Sequence, residues 1–196
     1  MTSKHTITKD DILELADYEK VRKDKRAEIA EIKKHRRMGI GPDATLYFEC
    51  FDTMWYQIQE MLRIEKGGDA QLADELAAYA PLVPNGSELV ATMMFEIGDA
   101  DRRARVLAGL GGVEETVTME IDGETVKAKA EEDVDRTSAA GKASSVQFLH
   151  FPLSVDQAAK FKRPGTRVVV AVNHSNYGHM AVMSEDTRTE LARDLD

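Results

Sequence analysis

Residues 167–184 read RVVVAVNHSNYGHMAVMS, and the expected architecture is built around this stretch. It contains two strand-like runs joined by residues 175–178 (SNYG). If these four residues form the turn, the period of two places His174 and His179 directly opposite each other on one face. The same face carries apolar side chains, namely Val168, Val170, Val172, Ala181 and Met183. The stretch therefore predicts an antiparallel hairpin with two imidazoles at the rim of an apolar face.

Composition sets the outer limits of the fold and the function. The chain has 196 residues, of which 42% are hydrophobic, as is typical of a folded domain with a sizeable core. No apolar run reaches the roughly 18 residues of a membrane span, and the N-terminal MTSKHTITKDD lacks the apolar segment of a secretory signal. Cys50 is the single cysteine, and the net charge of −9 argues against general binding to nucleic acid. We expect a cytoplasmic protein without a membrane partner.

The N-terminal part of the chain shows helical periodicity. Thr8 and Asp11 predict a helix start, after which a narrow apolar stripe follows the helical period as far as Ile32. The basic run 33–37 (KKHRR) and the loop-like 38–42 (MGIGP) predict the end of this helix. The cations either complement the helix dipole or form an anion site with the glycines, although their spacing matches no phosphate-binding loop.

A central core helix is predicted over residues 45–66, capped by Asp43 or Thr45 and ended by Gly67. Its apolar side chains share one broad face, namely Phe51, Met54, Trp55, Ile58, Met61 and Leu62. A polar stripe lies opposite, formed by Glu49, Thr53, Tyr56 and Glu60. Such a stripe could serve a metal or an acid–base pair, but it is more commonly the solvated side of a helix. A further helix is predicted over residues 70–80.

Strand signals dominate the chain after Asn85-Gly86. Alternating apolar residues predict a strand over residues 88–97. Asp99 then caps a predicted helix that reaches Leu110.

The dipeptide Asp122-Gly123 is the strongest turn signal, because this pair is typical of a two-residue hairpin. With that turn, Met119 faces Val126 across the hairpin. A further strand is predicted over residues 146–151.

Residues 131–145 are acidic and then small and polar, and they are predicted to form a loop. Ser154 and Gln157 form a capping box that predicts a short helix to about Lys162. A last amphipathic helix is expected over residues 185–195.

These elements predict one α+β domain over residues 1–196. Its helical part covers about 8–80, its strand-rich part about 88–184, and its C-terminal helix about 185–195. We expect an N-terminal helical layer packed on one mainly antiparallel sheet of about six strands.

Several longer phrases occur in a characteristic order, namely YEKVR (18–22), KKHRRMGIGP (33–42), LYFECFDTMWYQIQEMLRIEK (46–66), ATMMFEIGD (91–99) and QFLHFPL (147–153). With them, nearly the whole chain resembles an uncharacterised bacterial family whose genes lie beside those of rubrerythrin and an iron–sulfur oxidoreductase. The resemblance carries no assigned catalytic or ligand residues. It implies a context of peroxide or oxygen stress and iron redox chemistry, with those two proteins as partners.

A metal site is the sharpest chemical hypothesis that the residues support. Soluble non-haem iron and zinc sites commonly combine two or three imidazoles with a carboxylate. The candidate ligands are His174, His179, His150 and a carboxylate such as Glu49, Glu60 or Glu96. Iron or zinc is the cofactor expected at such a site, whereas histidines beside a tight turn more often make ordinary hydrogen bonds.

Other chemistry has less support in the sequence. Cys50 is expected to pack rather than react, since no neighbour in sequence would lower its pKa. The common motifs of serine hydrolases, zinc proteases, dinucleotide enzymes and paired-cysteine redox proteins are absent. Whether the protein is an enzyme stays open.

Two functional hypotheses remain. The first is a metal-dependent redox protein whose site includes His174 and His179. The second is a non-catalytic adaptor or assembly factor that binds a redox partner through the charged first helix and residues 131–145. A homodimer is compatible with both hypotheses.

Overall fold

The computed structural model describes residues 4–131 and 142–196. Most of the loop predicted over residues 131–145 therefore lies outside the described residues. The described α-helices are Leu15–Lys34 (α1), Phe51–Glu65 (α2), Gly68–Tyr79 (α3), Ala100–Ala108 (α4), Val155–Lys162 (α5) and Glu185–Leu191 (α6). The described strands are Arg37–Ile40 (β1), Ala44–Phe48 (β2), Glu88–Phe95 (β3), Val117–Ile121 (β4), Glu124–Lys127 (β5), Lys129–Ala130 (β6), Val146–Pro152 (β7), Val168–His174 (β8) and Tyr177–Val182 (β9).

The strands form two antiparallel sheets within the described residues. The larger sheet has the order β1-β2-β3-β7-β6, and the smaller one has the order β5-β4-β8-β9. The predicted α+β class with mostly N-terminal helices is confirmed. The structure differs from the prediction in having nine described strands in two sheets instead of about six in one. Alternation in a sequence shows which residues share a face, but it does not show which strands pair.

The larger sheet is covered on both faces, so the molecule has three layers. One core lies between the sheets, where Leu46, Met93 and Leu149 of the larger sheet join Met119 and Val170 of the smaller one. The other core lies between the larger sheet and the helices, and it contains Tyr18, Met54, Trp55, Ile58, Leu72 and Val90. Burial of each large apolar side chain contributes about 1.5–3 kcal/mol. The boundary between helices and sheet is therefore held mainly by apolar contacts.

The segment predicted to begin the central helix instead forms β2, and it pairs with β1, which occupies part of the stretch predicted as a helix end and loop over residues 33–42. In β2 the buried residues Ala44, Leu46 and Phe48 alternate with half-buried ones, which is the period of a strand. Gly41 has a φ of +68°, which allows the sharp turn between the strands. The prediction of a helix over residues 45–66 was wrong at its start, because a short apolar alternation also fits a helical face.

Helix α2 begins at Phe51 because its first turn is organised by local side-chain contacts. The Thr53 hydroxyl accepts a hydrogen bond from the backbone N–H of Cys50 at 2.9 Å. This contact satisfies a donor at the position before the helix. Glu49 therefore precedes the helix and does not share a helical stripe with Glu60.

Predictions that rested on local signals are confirmed. Asp122 and Gly123 have φ values of +50° and +86°, and Met119 pairs with Val126 across their turn. The Ser154 side chain accepts a hydrogen bond from the N–H of Gln157 at the start of α5. In each case the determining contact lies within a few residues of sequence.

Candidate functional site

The hairpin of β8 and β9 brings the two predicted histidines to one face, but not opposite each other. The turn has two residues instead of four, so His174 pairs with Tyr177 and His179 pairs with Val172. The expected direct opposition was wrong because Tyr177 extends the ladder and is not part of the turn. Diagonal neighbours of this kind have their Cα atoms roughly 7–8 Å apart.

Tyr177 makes the contacts that organise this end of the molecule. Its hydroxyl donates to the carbonyl oxygen of Ile40 at 2.7 Å and accepts from the N–H groups of Asp43 and Ala44 at 3.0 and 2.9 Å. These three hydrogen bonds satisfy the single donor and both acceptor lone pairs of the Tyr177 hydroxyl. Its ring also meets the His179 ring edge-on at a centroid distance of 4.5 Å.

The imidazole rings of His174 and His179 each contact residues of a turn. His174 Nδ1 accepts from the N–H of Asn176 at 3.2 Å, which leaves Nε2–H to donate to the carbonyl oxygen of Gly111 at 3.3 Å. The His179 ring lies so close to Gly41 that a Cβ atom there would be 2.6 Å from it. These contacts are of the ordinary kind that the sequence analysis weighed against metal binding by the two histidines.

His150 lies between two carboxylates and is largely buried. Its Nδ1 is 3.0 Å from Glu88 Oε2, and its Nε2 is 2.8 Å from Glu131 Oε2. The hydrogen bond to Glu88 raises the pKa of His150, and it outweighs the opposing effect of burial. Both ring nitrogens are engaged, as expected for an imidazolium that fastens β7 to its neighbours.

Glu60 is held by an ion pair between α1 and α2. Arg22 donates two hydrogen bonds to its oxygens at 2.7 and 2.8 Å, and the Tyr18 hydroxyl donates a third at 2.6 Å. These contacts, led by that of Arg22, lower the pKa of Glu60 to about 2. Glu60 thus works as a structural anion between the two helices.

Glu49 is buried at the boundary between the helices and the larger sheet, with only 7% of its surface exposed. Thr92 donates to its Oε1 and Thr53 donates to its Oε2, both at 2.7 Å. Among the described residues no lysine, arginine or histidine forms an ion pair with it. The expectation of a solvated stripe was wrong for Glu49, because the end of β2 carries it between the layers.

Burial raises the pKa of Glu49, and the two threonine hydroxyls only partly oppose this effect. The charges of Lys33 and Arg36 also lower this pKa, but without an ion pair they do not offset the cost of removing an ionised carboxylate from water. The neutral acid is therefore favoured more strongly for Glu49 than for an exposed glutamate.

A cavity of about 310 Å³ opens beside the Glu49 carboxyl group, between the end of α1, α2 and the larger sheet. Its polar lining includes Lys33, Tyr47, Glu49, Thr53, Gln57 and Thr92. Its apolar lining includes Met54, Leu82, Met94, Val146 and Phe148. A concave, mostly apolar space with a few convergent polar groups is the usual form of a small-molecule site.

Arg36 also lines the cavity, but its guanidinium group forms ion pairs with other residues of the chain. Two of its nitrogens donate to the Asp194 carboxylate at 2.7 and 2.9 Å, and Glu190 accepts from the same guanidinium. This buried pair anchors the C-terminal segment to the start of β1. Nearby, burial raises the pKa of the Cys50 thiol, consistent with the expected packing role.

The candidate metal ligands thus lie in separate contacts. Across residues 4–131 and 142–196, no three His, Cys, Asp or Glu side chains are grouped so that they could hold a metal ion. Iron or zinc binding by His174, His179, His150, Glu49 or Glu60 stays a prediction.

Residues 6–195 match the model of a family described as "Protein of unknown function (DUF3501)". The chain belongs to the DUF3501 family. This finding confirms the resemblance to an uncharacterised family seen in the sequence.

The DUF3501 chain is also similar to a solved structure from Burkholderia pseudomallei, whose title describes a novel protein of unknown function. The two chains are 41% identical, and the alignment covers 97% of this chain and 100% of that one with a TM-score of 0.89. A comparison with curated proteins gives no match. None of the helices in the described part of the DUF3501 chain has the length and apolar character needed to cross a membrane.

Sequence reasoning named Glu49 in this DUF3501 chain for a different reason from the one that the structure gives. The structure shows a buried carboxyl group that is hydrogen-bonded by Thr92, a residue 43 positions away in the chain. The only signal available in the sequence was the alternation of residues 44–48, which would have placed Glu49 at a strand end. Tyr177 was missed because it was assigned to the turn.

Proposed function

We propose that this protein binds a small organic molecule in the Glu49 cavity and that Glu49 exchanges a hydrogen bond or a proton with it. The observation that carries the proposal is a buried carboxyl group on a cavity wall with two hydroxyl partners and no ion pair among the described residues. Strongly perturbed acids in concave sites are common at functional positions.

The surroundings of Glu49 suit both of its protonation states. Thr92 and Thr53 donate to the ionised carboxylate, and a hydroxyl can equally accept from the neutral acid. When Thr53 accepts, its own proton can turn to the carbonyl oxygen of Cys50, which lies 3.0 Å away. Glu49 can therefore lose or gain a proton without leaving a polar atom unpaired, as a general acid or base requires.

A second cavity of about 300 Å³, between the start of α1 and the helices α2 and α3, is less suited to this role. Its apolar lining includes Ile12, Leu13, Leu62 and Leu72. The charged residues around it are all exposed, so it has no buried carboxyl group comparable with that of Glu49.

The biological context is a separate part of the proposal. A link to oxygen stress or iron redox chemistry, with rubrerythrin or an iron–sulfur oxidoreductase as partner, is supported by the sequence resemblance alone. A small molecule that carries protons or electrons in such a system would be compatible with the Glu49 cavity.

A cavity-filling variant tests the proposal directly. Met94 is half-buried and lines the cavity, so Met94→Trp should occupy the space. Met180→Trp is the matched control, since Met180 is 70% exposed on β9. A fragment library would be screened against both variants and the unmodified protein by ligand-observed NMR.

We expect fragments that bind the unmodified protein and Met180→Trp but not Met94→Trp. Thermal unfolding would establish that both variants are folded. Fragments that bind all three proteins equally, or an absence of binding at millimolar concentration, would overturn the proposal.

A further inference from the structure

The exposed and the buried parts of the Glu49 cavity lining differ in chemistry. Lys33 is exposed where α1 ends, whereas Glu49 is buried at the inner wall. In the described part of the chain, the Lys33 ammonium has neither an ion-pair nor a hydrogen-bond partner. The adjacent Lys34, in contrast, is paired with Glu31. The lining thus combines an exposed cation that forms no ion pair among the described residues with a buried acid whose pKa the charge of this cation lowers.

Much of the remaining lining is apolar. Met54 comes from α2, Met94 from β3 and Phe148 from β7, and all three line the cavity. A cavity of about 150 Å³ already accommodates a benzene ring. The 310 Å³ beside Glu49 therefore has room for a ring and a substituent at each end.

Two further polar groups border the same space. The Gln57 amide and the Tyr79 hydroxyl line the cavity, and neither has a hydrogen-bond partner among the described residues. They are available to hydrogen-bond a ligand once it is seated. A ligand with no polar atoms would leave these groups unpaired.

We propose that the cavity selects a small apolar carboxylic acid with a second oxygen at its far end, typified by a hydroxylated aromatic acid. The carboxylate pairs with Lys33, the ring contacts Met54, Met94 and Phe148, and the far hydroxyl or carbonyl oxygen hydrogen-bonds Glu49. This inference rests on the proposed function, because it names the ligand class of the same site.

The charges favour this direction of binding. A carboxylate placed next to Glu49 would be buried beside another acid, whereas at Lys33 it meets a cation and stays partly solvated. A ligand hydroxyl can donate to ionised Glu49 or accept from the neutral acid, whereas a ligand carbonyl oxygen can accept only from the neutral acid. The orientation therefore avoids burying an unpaired charge.

A matched set of ligands separates the contributions of the two ends. Isothermal titration calorimetry would compare 4-hydroxybenzoate and the one-carbon-longer 4-hydroxyphenylacetate with benzoate, which lacks the far oxygen, and with phenol, which lacks the carboxylate. We expect at least one of the two hydroxy acids to bind about fivefold more tightly than benzoate and phenol, since a single hydrogen bond or exposed ion pair has about that effect.

Protein variants assign each end of the ligand. Lys33→Met should weaken binding of the hydroxy acid about fivefold and leave phenol unchanged, and Lys34→Met is its matched control. Glu49→Met, which keeps the side-chain length without a polar atom, should weaken the hydroxy acid and phenol but not benzoate. Thermal unfolding of each variant would show that it is folded.

Phenol that binds as tightly as both hydroxy acids, or equal effects of Lys33→Met and Lys34→Met, would overturn the ligand class. If the panel does not bind while other fragments are displaced by Met94→Trp, the ligand class is wrong and the proposed function stands. If no fragment responds to Met94→Trp, the proposed function itself fails.

Discussion

Two carboxyl groups with similarly low exposure, those of Asp194 and Glu49, are compensated in different ways. Asp194, with 2% exposed, receives two charged hydrogen bonds from Arg36. Glu49, with 7% exposed, receives only two neutral hydroxyl contacts and borders a cavity. Similar burial thus accompanies two arrangements: Asp194 completes a structural ion pair with Arg36, whereas Glu49 forms no ion pair among the described residues.

The largest expected effect comes from removing the cation of the structural pair. Arg36→Met leaves Asp194 buried without its partner, which should lower the free energy of unfolding by about 3–5 kcal/mol. Arg37→Met is the control, because Arg37 is exposed at the next position and should change this free energy by less than about 0.5 kcal/mol. Urea unfolding followed by circular dichroism measures both. Equal effects of the two substitutions would remove the distinction between the two carboxyl groups.

His150 offers an intermediate case, in which a buried cation is shared by two carboxylates. His150→Gln should lower the free energy of unfolding by about 1–2 kcal/mol at pH 6, because two charge-assisted hydrogen bonds are lost. The pKa of His150 is raised in the folded state, so its contribution is complete below its unfolded pKa and is lost as the pH rises through the folded pKa. Unfolding curves at several pH values should therefore show the difference between the two proteins shrinking with increasing pH. A constant difference would contradict this assignment.

The stability contribution of Glu49 should depend on pH in the opposite direction from that of Glu60, whose pKa is lowered by Arg22 and Tyr18. Its folded pKa is raised, so the folded state retains a proton that the unfolded state loses, and stability falls as the pH rises above the unfolded pKa. Glu49→Gln should be about as stable as the unmodified protein at low pH and more stable at higher pH. Carbon-13 NMR of the Glu49 carboxyl group would measure the shift directly, and an ordinary pKa there would contradict the comparison.

The smallest structural effect is expected for the hairpin histidines, whose contacts are neutral and partly exposed. The double variant His174→Ala/His179→Ala should lose only about 1 kcal/mol of unfolding free energy. The same preparation tests the metal prediction by elemental analysis of untagged protein, since a site built on these residues requires the variant to lose bound iron or zinc. Equal metal content in both proteins would eliminate a hairpin metal site.

The sequence predicted those parts of the fold that depend on near neighbours. The Asp122-Gly123 turn and the Ser154 cap each require only two or three adjacent residues, and both are confirmed. The β1–β2 hairpin was not predicted, because the apolar residues at 44, 46 and 48 fit a helix nearly as well as a strand. Residues 44–48 form a strand because they pair with β3, which is distant in sequence.

The candidate site depends even more on contacts between residues that are distant in sequence. Glu49 was among the sequence candidates, but its burial depends on Thr92 and on the helices above it. The sequence likewise does not show which residue of the basic run 33–37 forms an ion pair. In the described part of the chain Arg36 pairs with Asp194, whereas Lys33 has no ion-pair partner. Side-chain partners, rather than residue types, distinguish the proposed site from the structural ion pairs here.

The three hydrogen bonds of the Tyr177 hydroxyl have a consequence for the motions of the molecule. They tie the backbone of the β1–β2 hairpin, at the edge of one sheet, to a side chain of the other sheet. The amide protons of Asp43 and Ala44 should therefore exchange with deuterium only when the sheets separate at this end, so the two sheets should open as one cooperative unit.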